Sequence, residues 1–180
     1  MTTAPRLSAD ERRVAIVDAA LQEFAAHGFE KATTDAVARR AGISQPYVIR
    51  LFGSKRAVFE AALDRAFTAV EDAFADAAAG AGEGDPLQAM GAAYGRLLED
   101  RTLLMMLLQA FAASGDDHVK AVVRERMAGL RARVAELSGA TPDRLREFFA
   151  MGMLLNVVAA LELPELLGGP DWTDRMCQAL

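Results

Sequence analysis

This 180-residue chain is poor in thiol and imidazole groups, with one cysteine, Cys177, and two histidines. A lone cysteine excludes an internal disulfide framework and suits a reducing cytoplasm, the expected location. Neither histidine has a glutamate three residues before it: Phe24 precedes His27 and Gly115 precedes His118, so the Glu-x-x-His pairs of a di-metal bundle are missing. There is no glycine-rich phosphate loop, nucleophile elbow or Cys/His cluster. We therefore expect no enzyme activity, no metal and no cofactor. Long apolar runs are missing as well. The longest, residues 148–161, is interrupted by Asn156 and falls short of the ~20 residues that cross a bilayer. The opening "MTTAPRLSADERR" lacks the apolar segment of a signal peptide, so the expectation is a soluble protein with no membrane partner. Runs of β-branched residues and period-two alternation are also absent, which excludes a sheet protein.

What remains is a helical composition. Alanine and leucine abound, and 52% of residues are hydrophobic, enough for a sizeable core. The net charge of −5 conceals a polarity, because residues 1–56 carry nine Lys/Arg and six Asp/Glu, a net +3 that leaves −8 for the remainder. A basic end on an acidic body fits a contact surface for an anionic partner.

Helical spacing and caps divide the chain into about nine helices, an all-α fold. "SADE" is a capping box at Ser8 and Glu11, opening a helix that runs to about residue 27 and stops at Gly28. A second starts at Thr33–Thr34 and ends before Gly42; a third covers about residues 45–52 with Ser44 as its cap; a fourth runs over about 55–79. "GAGEGD" breaks the pattern at 80–85, and Asp85–Pro86 starts a fifth helix. A sixth contains "LLMMLL" and is apolar all round, which implies burial. After the "SGDD" break come a charged seventh over 118–137, an eighth from Thr141–Pro142 to about 163, and a short last helix at 171–180.

The tightest signal is "TTDAVARRAGISQPYVIRLF". A helix-turn-helix needs a small residue where two short helices cross, a glycine in the turn and apolar residues that lock the pair. Ala38 and Gly42 meet the first two needs, and Val37, Ala41, Ile43, Val48 and Leu51 are spaced to bury together. That leaves Gln45, Pro46, Tyr47, Ile49 and Arg50 as the outward, groove-facing set. One oddity follows: the fourth helix begins with Lys55 and Arg56, cations at the positive end of a helix dipole. Either an anion binds there, or the cations are solvated or pair with an acid such as Glu60.

At these residues the chain resembles the TetR-type (TetR/AcrR) transcriptional regulators. The shared features are an Ala–Leu–Phe stripe ending in Gly28–Phe29, then "ATT", "VARRAGIS" and an aromatic F-x-S-K at Phe52 to Lys55, over roughly residues 10–60. Members usually carry a tyrosine where this chain has Ile49, and often a second aromatic where it has Leu51; Tyr47 stands earlier in the helix. The resemblance implies a helix-turn-helix DNA-binding domain over 1–54 and a larger helical regulatory and dimerisation domain over 55–180. It implies that Lys55 contacts a DNA phosphate, where the free N–H groups of a helix start also favour an anion. Thr33 or Thr34 could do the same while capping the second helix.

The resemblance further implies a small-molecule pocket among helices five to seven and a two-fold dimer through helices eight and nine. Met90, Tyr94, Met105, Met106, Gln109, Met151 and Asn156 are the pocket candidates, with plain core as their alternative. Phe148, Gly152, Leu155 and Ala159 are the dimer-face candidates, because the eighth helix is too apolar for the surface of a monomer; burial within one subunit is the competing account. The expected function is thus a homodimeric regulator, a repressor released from a pseudo-palindromic duplex operator by a small apolar or amphipathic effector. The alternative is a helical protein-interaction module that uses the same hairpin without DNA or ligand.

Overall fold

The computed structural model describes residues 8–163, and among them it contains eight α-helices, one 3₁₀ turn and no strand. They are α1 (Ala9–Lys31), α2 (Thr34–Arg40), α3 (Gln45–Phe52), α4 (Lys55–Gly80), α5 (Pro86–Leu97), α6 (Arg101–Ala112), α7 (Asp117–Ser138) and α8 (Pro142–Leu161). The 3₁₀ turn, Ala113–Gly115, links α6 to α7. The expected last helix at 171–180 lies outside the described residues.

Most helices begin where a side chain can satisfy a free N–H group. The Ser8–Glu11 capping box is formed, Thr33 accepts from the Ala36 N–H, Ser54 from Ala57, Asp85 from Leu87, and Thr141 from Arg144. Asp100 and Asp116 cap α6 and α7 in the same way. Ser44 departs from the expectation: its hydroxyl makes no capping bond, and α3 starts instead with Pro46 in its first turn, which needs no N–H partner there.

Gly28 does not end α1 outright. At φ 71° and ψ 174° it interrupts the helical path, and the chain resumes a turn through Lys31. That conformation is open to glycine and hardly to anything else. A methyl group there would also stand 2.7 Å from Oε1 of Gln109, so α6 packs directly over the break. Gly42, at φ +67°, makes the turn between α2 and α3 as expected.

The core is continuous. α1 lies on α6 and α4; α4 in turn packs on α5 and α7; α8 closes over α5, α6 and α7. Phe24, Phe59 and Phe67 are buried at its centre, and Phe59 sits edge-on to both Phe24 and Phe29 with ring centroids 5.0 Å apart. α6 is less enclosed than its composition implies: Leu103, Leu104, Met106 and Leu107 are buried, while Met105 and Leu108 are half-buried at its edge. No described helix is long and apolar enough to cross a membrane.

Gly28→Ala is expected to destabilise the fold by on the order of 1–3 kcal/mol, from backbone strain and displacement of Gln109. Urea unfolding checks this. Adding Gln109→Ala should recover only part of the loss, because it relieves the clash and not the positive φ.

Candidate nucleic-acid interface and internal cavity

α2 and α3 form the expected crossed pair. Val37, Ala38 and Val48 are buried between them, and the Ile43 N–H bonds the Ala38 carbonyl at 3.0 Å. Ala41, Ile43 and Leu51 are half-buried against the same core. Of the outward set, Pro46 and Arg50 are exposed, while Gln45, Tyr47 and Ile49 are half-buried. α3 is therefore seated by Val48 and offers its other face to solvent.

That face is organised around Tyr47. Arg12 of α1 donates from Nε to the Tyr47 hydroxyl at 3.0 Å, and the Arg50 guanidinium lies 4.7 Å from the centre of the Tyr47 ring. Arg13 stacks on Phe52 at 4.6 Å. Two helices thus direct three guanidiniums onto two aromatic rings of α3, a contribution from α1 that helical spacing within 33–52 gives no sign of. Gln45 donates to the Thr34 hydroxyl at 3.3 Å and joins the starts of α2 and α3.

The start of α4 answers the oddity of its two cations. Lys55 turns back and donates from Nζ to the Glu30 carbonyl at 2.9 Å, over the Phe29 ring at 4.9 Å. It therefore sits at the carbonyl end of α1, where a cation is favoured. Arg56 pairs with Asp116 at 2.6 Å, and Asp116 also caps α7 through the His118 and Val119 N–H groups. The Val119 N–H and then the Arg56 guanidinium hold the Asp116 carboxyl below its ordinary range. Glu60 does not pair with either cation, as the sequence had allowed; its partner is His118.

Below this region, α4, α5, α6, α7 and α8 line a partly open cavity of about 50 Å³. Phe67, Val70 and Phe74 of α4 line it with Leu107 and Phe111 of α6, Met127 and Leu130 of α7, and much of α8. Among the pocket candidates, Tyr94, Met151 and Asn156 line it. Met90 and Met106 are fully buried in the core away from it, Met105 packs at the edge of that core, and Gln109 lies against Gly28. α5 turns Met90 elsewhere and α6 does the same with Met105, Met106 and Gln109, while α4, absent from the sequence reading of the pocket, supplies a wall. Within the cavity the Tyr94 hydroxyl donates to Asn156 Oδ1 at 2.7 Å. Burial pushes the Tyr94 phenol up to about 12, against a smaller opposing effect of that bond.

The stripe expected on the dimer face points the other way. Phe148 and Leu155 are buried and line the cavity, Gly152 faces the Tyr94 ring at contact distance, and Ala159 is half-buried. The outer face of α8 is instead Met153, Leu154, Val157 and Leu161, which are 41%, 40%, 45% and 60% exposed.

Residues 16–62 match the family model described as bacterial regulatory proteins, tetR family. Over this segment the chain is similar to the TetR family. Beyond it, the whole chain shares its fold with solved regulators. A TetR-like transcriptional regulator from Rhodococcus sp. RHA1 superposes with a TM-score of 0.71 at 23% identity, over 96% of this chain and 95% of that one. A TetR-family regulator from Streptomyces coelicolor gives 0.60 at 21%, over 98% and 94%. The fatty acid degradation regulator FadR from Bacillus halodurans gives 0.66 at 19%, over 99% and 95%. No curated protein sequence matches the chain. The matched TetR model covers α2, α3 and the start of α4, together with most of α1, so it spans the crossed helix pair described above.

Tyr94 makes the cavity sensitive to alkali. A phenol raised from 10 to about 12 on folding adds stability that is complete below pH 10 and is lost as pH climbs through 12. Chemical unfolding from about pH 9 to 12 should show an extra loss on the order of 2 kcal/mol in the native chain that Tyr94→Phe lacks.

Proposed function

We propose that the chain acts as a homodimeric transcriptional repressor that leaves a pseudo-palindromic operator when a small apolar or amphipathic effector occupies the internal cavity. Residues 1–54 form the DNA-binding domain and 55–180 the regulatory and dimerisation domain. The observation that carries the reading is α3: it is anchored by buried Val48, exposes Pro46 and Arg50, and lies within the TetR segment. Gln45, Pro46, Tyr47, Ile49 and Arg50 approach bases or phosphates, and Thr33 and Thr34 approach phosphates at the start of α2.

Lys55 contacts a phosphate in this scheme. Its bond to the Glu30 carbonyl already orients the ammonium at the rim of the reading unit, and a phosphate oxygen replaces that carbonyl or shares the ammonium with it. The apolar outer face of α8 supports the dimer, since Met153, Leu154, Val157 and Leu161 form a contiguous patch that a single chain leaves in water. The exposure of that patch favours it over the Phe148–Leu155 stripe as the dimer face. Two α3 helices about 34 Å apart then face successive major-groove turns. An effector releases the operator insofar as it binds the DNA-incompetent arrangement more tightly.

Gel-shift titration of Lys55→Ala over several salt concentrations tests the DNA contact. The variant should bind all duplexes more weakly, and its log K against log salt slope should be shallower by about 1 per subunit. Affinity and slope unchanged from the native chain would remove Lys55 from the interface. Binding of the native chain that ignores salt altogether would point to a protein partner.

A further inference from the structure

The cavity also carries information about the chemistry of its occupant. Its lining among the described residues contains no lysine, arginine, histidine, aspartate or glutamate, and only two polar side chains, Tyr94 and Asn156. A carboxylate or ammonium placed there would lose its hydration without gaining a counter-charge. The two polar groups are not equivalent. The Tyr94 hydroxyl is spent on Asn156 Oδ1, whereas Asn156 Nδ2, an amide nitrogen with two hydrogens to donate, has only the Met153 thioether at 4.0 Å. The orientation of the amide follows from its neighbours, since the phenol hydrogen needs an acceptor and a thioether cannot donate. Asn156 is itself 3% exposed.

We infer that the cavity takes a small, uncharged, largely apolar molecule with one hydrogen-bond acceptor, such as a ketone or ester carbonyl, which Asn156 Nδ2 receives in place of the Met153 sulfur. This rests on the effector reading above and specifies its chemistry. At about 50 Å³ the cavity is smaller than the roughly 150 Å³ that admits benzene in an apolar core, so entry requires the wall to yield. The wall has the means. Met127 and Met151, half-buried, and Met153, exposed at its rim, line it, and unbranched thioether chains repack at low cost. Phe67, Phe74 and Phe148, which are buried, form the side that stays.

Three molecules of similar shape separate the possibilities: cyclohexanone, methylenecyclohexane and cyclohexanecarboxylate. Each is titrated into the full-length chain by calorimetry or ligand-observed NMR. Cyclohexanone should bind best, by about tenfold over methylenecyclohexane, with the carboxylate weakest. Asn156→Leu should bring the ketone-to-alkene ratio to one or below, since the buried carbonyl then has no donor, while alkene binding persists. Because that change leaves the Tyr94 hydroxyl without an acceptor, the Asn156→Leu/Tyr94→Phe pair serves where the single variant folds poorly, with the same ratio expected. Equal binding of ketone and alkene by the native chain, or a carboxylate that binds best, overturns the proposed ligand class and leaves the effector cavity standing. If none of the three binds, the cavity is not a ligand site, and both readings fall.

Discussion

The seat of Phe59 is the contact on which the rest depends. The ring is wholly buried, held edge-on between Phe24 before the Gly28 break and Phe29 after it. Such aromatic pairs contribute about 0.5–1.5 kcal/mol each beyond the area they bury. Their larger effect is geometric. α4 is a single 26-residue helix whose first turn abuts the reading unit and whose later turns, through Phe67, Val70 and Phe74, wall the cavity. With Phe59 fixed against α1, the position of α4 sets where α2 and α3 stand relative to the body. Gly28 is needed because Phe24 and Phe29 reach the same ring only if the helix breaks between them.

The charges at the start of α4 follow from that seat. Lysine and arginine in a first helical turn are unfavourable for that helix alone. Here each is answered from another element, Lys55 by the carbonyl end of α1 and Arg56 by the cap of α7. Asp116 serves two helices at once, since the carboxylate that caps α7 also holds Arg56 of α4. The same junction holds Glu60 and His118. The reading unit is thus tied to the body on one side by apolar packing under Gln109 and on the other by paired charges.

Local chemistry was readable from the chain wherever it is local in sequence. The capping box at Ser8, Thr33, Asp85–Pro86, the glycine turn at Gly42 and the lock of Val37, Ala38 and Val48 depend on neighbours within a few residues, and the structure has them in place. What failed depends on helix rotation or on distant partners. α8 is apolar on most of its circumference, so spacing defined a stripe through Phe148, Gly152 and Leu155 without saying that the stripe faces inward. α6 presents the same ambiguity, and its Met105, Met106 and Gln109 point away from the cavity while Leu107 and Phe111 line it. The pairs Arg12–Tyr47, Arg56–Asp116 and Glu60–His118 span 35 to 60 residues, beyond any local pattern.

The central claim is that two copies of this reading unit address one duplex. Selection of bound sequences from random double-stranded DNA, followed by footprinting of the native chain on the selected duplex, tests it most directly. The account predicts an inverted repeat whose two protected half-sites lie about one helical turn apart on the same face. Failure to enrich any sequence, or a single protected segment without two-fold symmetry, would contradict it.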